Sequence, residues 1–366
     1  MSNDLIYQIA LTRIPNIGDI HTRTLVSVFG NATDVFKAKR RQLECIPGLG
    51  SIRVNSILSY RNFSECEREI KFIEQYRIRP LFINGEDYPK RLLHCADAPI
   101  LLYYRGNASL DHPRIVAIVG TRNNSEHGKK VTEKIIHELS ENDVLIISGL
   151  AYGIDTIAHR AALKNGLQTV GVLAHGMGVI YPEENHSLAR NMLKQGGLLT
   201  EFTGNTLPAR ENFPKRNRVV AGLSDATIVI ESGVKGGSLI TAGIADSYNR
   251  DVFAVPGRPS DEKSSGCNQL IRTHRAQLVR NADDILMAMN WKPGPGKEKP
   301  VQRLLFTNLD GDEKKVYEVL NQQGPLAIDL LSAESALSPG SLASILLSLE
   351  LKGIVSAQPG KVYSLI

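Results

Sequence analysis

The sequence predicts an α/β fold, a doubly wound and mainly parallel β-sheet covered by helices on both faces. Two observations carry that prediction. From Arg114 onward one unit repeats: a short β-branched apolar run, a glycine-rich turn and an amphipathic stretch of helical length. Strands alternating with helices in this way read as successive βα units on a parallel sheet. The turns that leave the apolar runs also share a composition of glycine plus hydroxyls, in "GTR", "SGLAYG", "AHGMG", "ESGVKGGS" and "VPGRPS". In an open sheet such turns leave the carboxyl ends of the strands and line a common crevice, which is where a ligand binds.

Taken in order, residues 1–62 are expected to form a small helical domain. "RIPNIGDIHTRTLVSVFG" and "CIPGLGSIRVNSILSY" each open a helix-period pattern with Ile-Pro, a variable residue, an apolar residue and Gly, and together they resemble helix-hairpin-helix/SAM-like units. The glycine of such a hairpin permits a tight turn whose N–H groups can receive a phosphate. Neither loop concentrates Lys or Arg, so a module that packs or binds protein is the plainer reading. Residues 63–110 mix "ECEREIKFIEQY", "RPLFING" and "YPKRLLHCADAPILLYYRG" and are expected to connect. Residues 111–290 hold the α/β core. A Pro/Gly/Lys stretch, "KPGPGKEKP", marks a linker over 291–305. Residues 306–366 carry about three helical patterns and then a hairpin turning at Pro359-Gly360, an arrangement that resembles a winged helix-turn-helix.

Composition limits the rest. The 366 residues suggest about two or three domains, and 42% hydrophobic with 22% charged residues describes an ordinary globular chain. The net charge of +5 is unevenly spread: from Val301 onward five Lys/Arg face seven Asp/Glu, so the C-terminal segment is −2 and the remainder +7. The four cysteines form no CxxC pair, which points to neither a disulfide framework nor a zinc site and suits the reduced thiols of a cytoplasm. No apolar run approaches ~18 residues, and the N-terminus has no long apolar core, so a cytoplasmic protein without a membrane span is expected.

The chemistry should gather at the glycine-rich turns. Gly120, Gly149, Gly236, Gly237 and Ser238 stand where backbone N–H groups would cradle phosphate oxygens, with no Cβ at the glycines to block approach. Arg122 directly follows the first core strand, and Arg210, Phe213, Lys215, Arg216 and Arg218 crowd the segment before "VVAGL". With the helix expected to begin there, its N-terminal dipole disfavours cations, so these side chains are expected to face an anion. Cations tracking a backbone beside an aromatic ring are what sequence-tolerant binding of a single strand requires. Asp155 and His159 share a helix face at i, i+4 and are expected to pair and orient the preceding loop. His175 reads as a polar loop residue. No dinucleotide fingerprint follows a strand, and "GTRNNSEHGKK" does not fit a phosphate-binding P-loop. No metal, cofactor or catalytic constellation is expected.

Seven stretches, "VAIVGTR", "SGLAYGIDTIAH", "GVIYPEENHSLA", "FPKRNRVVAGLS", "GGSLITAG", "VFAVPGR" and "GCNQLI", run in this order from Val116 to Ile271 and resemble the DNA-processing protein A (DprA/Smf) family. The resemblance implies a Rossmann-like core between a helical domain and a winged-helix-like domain. It implies a cytoplasmic, non-enzymatic mediator that binds and protects single-stranded DNA, loads the RecA recombinase during natural transformation, and forms a homodimer. Carried onto this chain, the DNA contacts are Arg122, Arg210, Phe213, Lys215, Arg216 and Arg218 with the loop glycines, Ser238 and Asn185. Tyr152 stands where the family usually shows Arg, and Glu183 where it is often basic. The alternative is a related Rossmann-fold enzyme hydrolysing nucleoside monophosphates, although "VKGGSLITAG" lacks the Thr and Glu of that group's PGGxGTxxE signature. The acidic tail lacks the charge of a primary DNA reader and is expected to contact a partner.

Overall fold

A computed structural model describes residues 4–291, 309–352, 354–358 and 362–365. Contacts divide the chain into two compact units, Met1–Lys297 and Glu298–Ile366. Residues 292–305 of the expected linker and the turn at Pro359-Gly360 lie outside the described residues.

The first unit begins with five helices, α1 (Leu5–Leu11), α2 (Asp19–Phe29), α3 (Ala32–Lys37), α4 (Arg40–Glu44) and α5 (Ser51–Ser59). Gly48, at φ +80°, supplies the left-handed residue between α4 and α5 that a side chain rarely tolerates. The stretch 63–110 is more than a connection. Its helix α6 (Phe63–Gln75) packs on α1, and Tyr7, Phe36, Tyr60 and Phe63 meet in an aromatic cluster. Glu69 is buried and accepts a bond from the Gly204 N–H at 2.8 Å; burial raises its carboxyl above the usual range. β1 (Arg79–Phe82), α7 (Lys90–Leu93) and β2 (Leu101–Gly106) complete the stretch, and both strands join the main sheet in antiparallel pairing.

The α/β core follows: β3 (Ile115–Val119), α8 (Glu126–Leu139), β4 (Leu145–Ser148), α9 (Ile154–Lys164), β5 (Thr169–Val172), α10 (His186–Met192) and β6 (Gly196–Thr200). The chain then continues through α11 (Asn212–Leu223), β7 (Ala226–Val229), α12 (Gly237–Ser247), β8 (Asp251–Ala254), α13 (Ser265–Arg272), β9 (Gln277–Leu278) and α14 (Ala282–Ala288). The strand order is β1-β2-β6-β5-β4-β3-β7-β8-β9, parallel from β6 to β9. Alternate residues explain why the strands read as unbroken apolar runs. Ile115, Ala117 and Val119 enter one core while Val116 and Ile118 enter another on the opposite face, so both faces are covered. Helices α8, α9 and α14 pack on one side, and α11 and α12 on the other. From β3 the chain winds outward to β6, then returns to β7 on the other flank of β3. That reversal opens a crevice between the ends of β3 and β7.

The second unit is a winged helix: α15 (Gly311–Gln323), β10 (Leu326–Ala327), α16 (Ile328–Ser335), α17 (Pro339–Leu351), β11 (Val355–Gln358) and β12 (Val362–Leu365), with a sheet ordered β10-β12-β11. Asp310 and Glu313 close a capping box at α15. Ser338 caps α17, with Pro339 in its first turn. Val316, Leu320, Leu331, Leu342, Leu346, Leu349 and Val355 form its core. No single helix among the described residues is long and apolar enough to cross a membrane.

Candidate nucleic-acid interface

The crevice at the β3/β7 switch point encloses about 820 Å³. Its walls come from Gly120–Arg122 after β3, Gly149–Ala151 after β4, Gly233–Ser238 after β7 and the first turns of α11. Arg122, Arg210, Phe213, Arg216, Gly120, Gly149, Gly236, Gly237 and Ser238 all border it. Thr121 is held by its N–H to the Glu231 carbonyl, 2.8 Å away, which joins the β3 and β7 loops.

Helix α11 starts at Asn212, earlier than the apolar run suggested. Lys215, Arg216 and Arg218 therefore sit inside the helix, beyond the first turn where its dipole acts most strongly, and they do not share a face. Phe213 and Arg216, three apart, meet the crevice together with Asn217 and Val220. Lys215 and Arg218, also three apart, line a different groove of about 540 Å³ with Asp19, Ile20 and Glu201. Arg218 is already engaged. Its guanidinium donates to Asp19 at 3.1 Å and, more closely, to Glu201, tying α11 to the N-terminal helices. Burial pushes the Glu201 carboxyl up, and Arg218 opposes the rise. The expectation that all three cations face one anion is thus corrected: on α11 only the Phe213 face meets the crevice.

Arg216 is itself a strut in the crevice wall, with only 5% of its surface exposed. It lies 3.8 Å from Asp155 and donates to the Val172 carbonyl at 3.4 Å. A Cβ at Gly149 would fall 1.1 Å from the guanidinium, so this glycine is required by close approach. Asp155 accepts the N–H groups of Gly149 and Ala151 at 3.1 and 3.3 Å. Burial raises the Asp155 carboxyl, against the pull of Arg216 and the two N–H donors. It does orient the loop after β4, but its expected pairing with His159 is absent. His159 instead donates through Nδ1 to the Thr169 hydroxyl at 2.7 Å, since that hydroxyl donates to the Ile146 carbonyl. Burial lowers the His159 pKa to about 3, so the ring is neutral.

Asn185 is also corrected. It is 2% exposed, and its amide donates to the Leu150 carbonyl and the Thr156 hydroxyl at 3.0 and 2.7 Å. Leu150 has φ +57°, a strained value for a side-chain-bearing residue, so Asn185 holds the loop rather than a ligand. His175 is buried in the same region. Its Nδ1 meets the Gly176 carbonyl at 2.8 Å while Nε2 accepts from the Tyr181 N–H at 3.3 Å, and burial lowers its pKa. The Asn185 bonds cross between loops and could not be read from local spacing, whereas those of His175 stay within the loop after β5.

What remains open at the crevice is a compact group. Arg122 is exposed, with its guanidinium carbon 5.1 Å from the centre of the Phe213 ring, within cation–π range. Arg210 is exposed on the rim. Tyr181, whose ring is centred 6.2 Å from that of Phe213, had no role assigned from the sequence. Ser238 is buried and donates to the Ser232 hydroxyl at 2.8 Å, bracing the turn into α12. No cluster of three metal-ligating side chains occurs among the described residues.

Fold and site together define a class: a Rossmann-like protein carrying a winged-helix domain, with a cationic, aromatic crevice at the switch point of its sheet. Comparisons with known proteins make this specific. The family model described as DNA recombination-mediator protein A matches residues 79–290, and the one described as DprA winged helix domain matches 306–361. Protein Smf of a Synechocystis strain is 32% identical over 395 residues, covering 98% of each chain. DNA processing protein DprA of Streptococcus pneumoniae is 44% identical over 238 residues, covering 62% of this chain and 84% of that one. The X-ray structure of the S. pneumoniae DprA superposes with a TM-score of 0.68 at 34% identity, covering 77% of this chain and 97% of the other. A Helicobacter pylori DNA processing protein A, solved for its single-stranded DNA binding mode, superposes with a TM-score of 0.54 at 31% identity, covering 59% and 96%. The chain belongs to the DprA/Smf family.

Proposed function

We propose that this protein is a recombination mediator that binds single-stranded DNA in the β3/β7 crevice and delivers the strand to RecA recombinase, protecting incoming DNA during natural transformation. The observation that carries the reading is the Arg122–Phe213 stack at the mouth of the crevice, with Arg210 on the same rim. An aromatic face accepts a base of any sequence while the arginines neutralise the adjoining phosphates. Gly120 and Gly237 offer backbone donors along the same wall, while the Gly236 N–H closes the turn onto the Gly233 carbonyl at 2.9 Å. Helix N-termini and glycine turns suit phosphate oxygens. The single-strand binding of the H. pylori relative supports this reading.

The protein acts in the cytoplasm as a homodimer and needs no metal or cofactor. Its winged helix serves a partner rather than DNA, because the segment from Val301 carries a net −2 and α17 opens on Ser341 and Ser344. Hydrolysis of nucleoside monophosphates is less well supported. Asp155, the carboxylate lining the crevice among the described residues, is tied to Arg216 and two loop N–H groups.

Fluorescence anisotropy of labelled oligo-dT and a matched duplex tests the site. Preference for the single strand, lost in Arg122→Ala/Arg210→Ala, is the expected result. Equal binding by that variant refutes the crevice as the DNA site. RecA filament assembly on protein-bound oligo-dT then tests delivery, with faster assembly expected and an unchanged rate counting against it.

A further inference from the structure

We propose that Tyr152 and Tyr181 form a second base-stacking platform beside Phe213, so that the crevice holds at least two consecutive bases of one strand. The inference rests on the single-strand reading above and deepens it. Tyr152 and Tyr181 are 40% and 42% exposed, although aromatic side chains gain most by burial. They are not scattered surface rings: both border one shallow recess of about 10 Å³ with Arg122, His175 and Phe213, so a base stacks on the open ring faces at its mouth. Each is anchored. The Tyr152 hydroxyl donates to Glu184 at 2.6 Å, and the Tyr181 ring packs edge-on against Phe213 with centroids 6.2 Å apart. Two anchored, open rings beside a glycine-walled crevice are ready to stack with little ordering cost.

The local charge says which part of a strand they meet. Glu183 and Glu184 are exposed next to the two rings, so this end of the recess repels phosphate and suits an uncharged base. Arg122 and Arg210 stand on the crevice side, where phosphates gather. The occupant is therefore a nucleobase next to the one on Phe213. A protein side chain on these rings is the outcome the experiment must separate.

The test is anisotropy with oligo-dT of increasing length, and with a series carrying a single abasic residue at successive positions. Tyr152→Ala and Tyr181→Ala each weaken binding of the longer oligomers by about 5-fold to about 150-fold, the range for one stacked base. Their salt dependence stays that of the wild type, because every phosphate keeps its cation. Tyr152→Phe recovers most of the affinity, since the ring remains when the Glu184 bond is gone. One abasic position removes the difference between wild type and Tyr152→Ala, as ring and base act as a pair. Wild-type affinity in both alanine variants at every length overturns the platform alone, as does a full loss that persists at every abasic position. Failure of the wild type to bind any single strand overturns the underlying reading and the platform with it.

Discussion

Removing the Asp155 carboxylate tests the internal support of the crevice most directly. In Asp155→Ala the Arg216 guanidinium loses the carboxylate 3.8 Å away while staying buried, and the Gly149 and Ala151 N–H groups lose their acceptor. Breaking one side of a buried ion pair costs about 3–5 kcal/mol, and each stranded backbone donor adds about 1–3 kcal/mol unless the loop shifts to re-bond it. The expected loss is therefore at the upper end, about 5 kcal/mol, with part relieved by movement of the strained loop at Leu150. Arg216→Met leaves those two donors bonded and should cost less, about 3 kcal/mol. The double variant Asp155→Ala/Arg216→Met should cost clearly less than the two singles added, because neither charge is left alone. Trp291, the one tryptophan in the sequence, packs against the α8/α9 core. Urea unfolding followed by its fluorescence therefore reports this unit, and a lowered midpoint at unchanged slope reads as lost stability. A single-variant cost below about 1 kcal/mol, as for a surface ion pair, or strict additivity in the double variant, would refute the strut.

Three further outcomes follow from the geometry. Arg122→Ala and Arg210→Ala should each reduce the steepness of log Kd against log salt for oligo-dT by about 0.7 for each phosphate left without its cation. Lys215→Ala, on the far groove, should leave that slope unchanged; equal effects from all three would contradict the division of α11 into two faces. Gly149→Ala places a methyl against the Arg216 guanidinium and should lower both stability and oligo-dT affinity, which calorimetry and anisotropy on one sample can check. In the winged helix, the Lys352 ammonium 2.6 Å from Glu313, together with Ser348, holds that carboxyl at about 2 against 4.5 for the free group. A depressed carboxylate stabilises the fold fully above its unfolded pKa. This contribution should be complete above pH 4.5 and disappear as pH falls to about 2. Carboxyl ¹³C shifts should give a midpoint near 2 that rises in Lys352→Met, and no movement would mean Lys352 is not the cause.

Much of this protein was legible in the residues alone. β-branched runs with no polar alternation between Ile115 and Val119, and again around Val170 and Ile228, specify strands covered on both faces, because strand periodicity is local. The glycine turns after those runs likewise mark the crevice-lining residues Gly120, Gly149 and Gly236. Local pattern also picks out Arg122, Arg210 and Phe213.

Only the tertiary structure decided what each charge on α11 meets. Arg216 pairs with Asp155, and Arg218 with Glu201 and with Asp19, 199 residues away in sequence. Such partners are chosen when the chain closes on itself, and no periodicity encodes them. The same holds for Asn185 under the β4 loop and for Tyr181 beside Phe213. A helix of 3.6 residues per turn sends neighbours in sequence to different faces, so the run of cations fixed the charge of the segment but not its direction. Burial in the assembled fold then turned Arg216 and Arg218 into structural ties, and left Arg122 and Arg210 exposed at the crevice mouth.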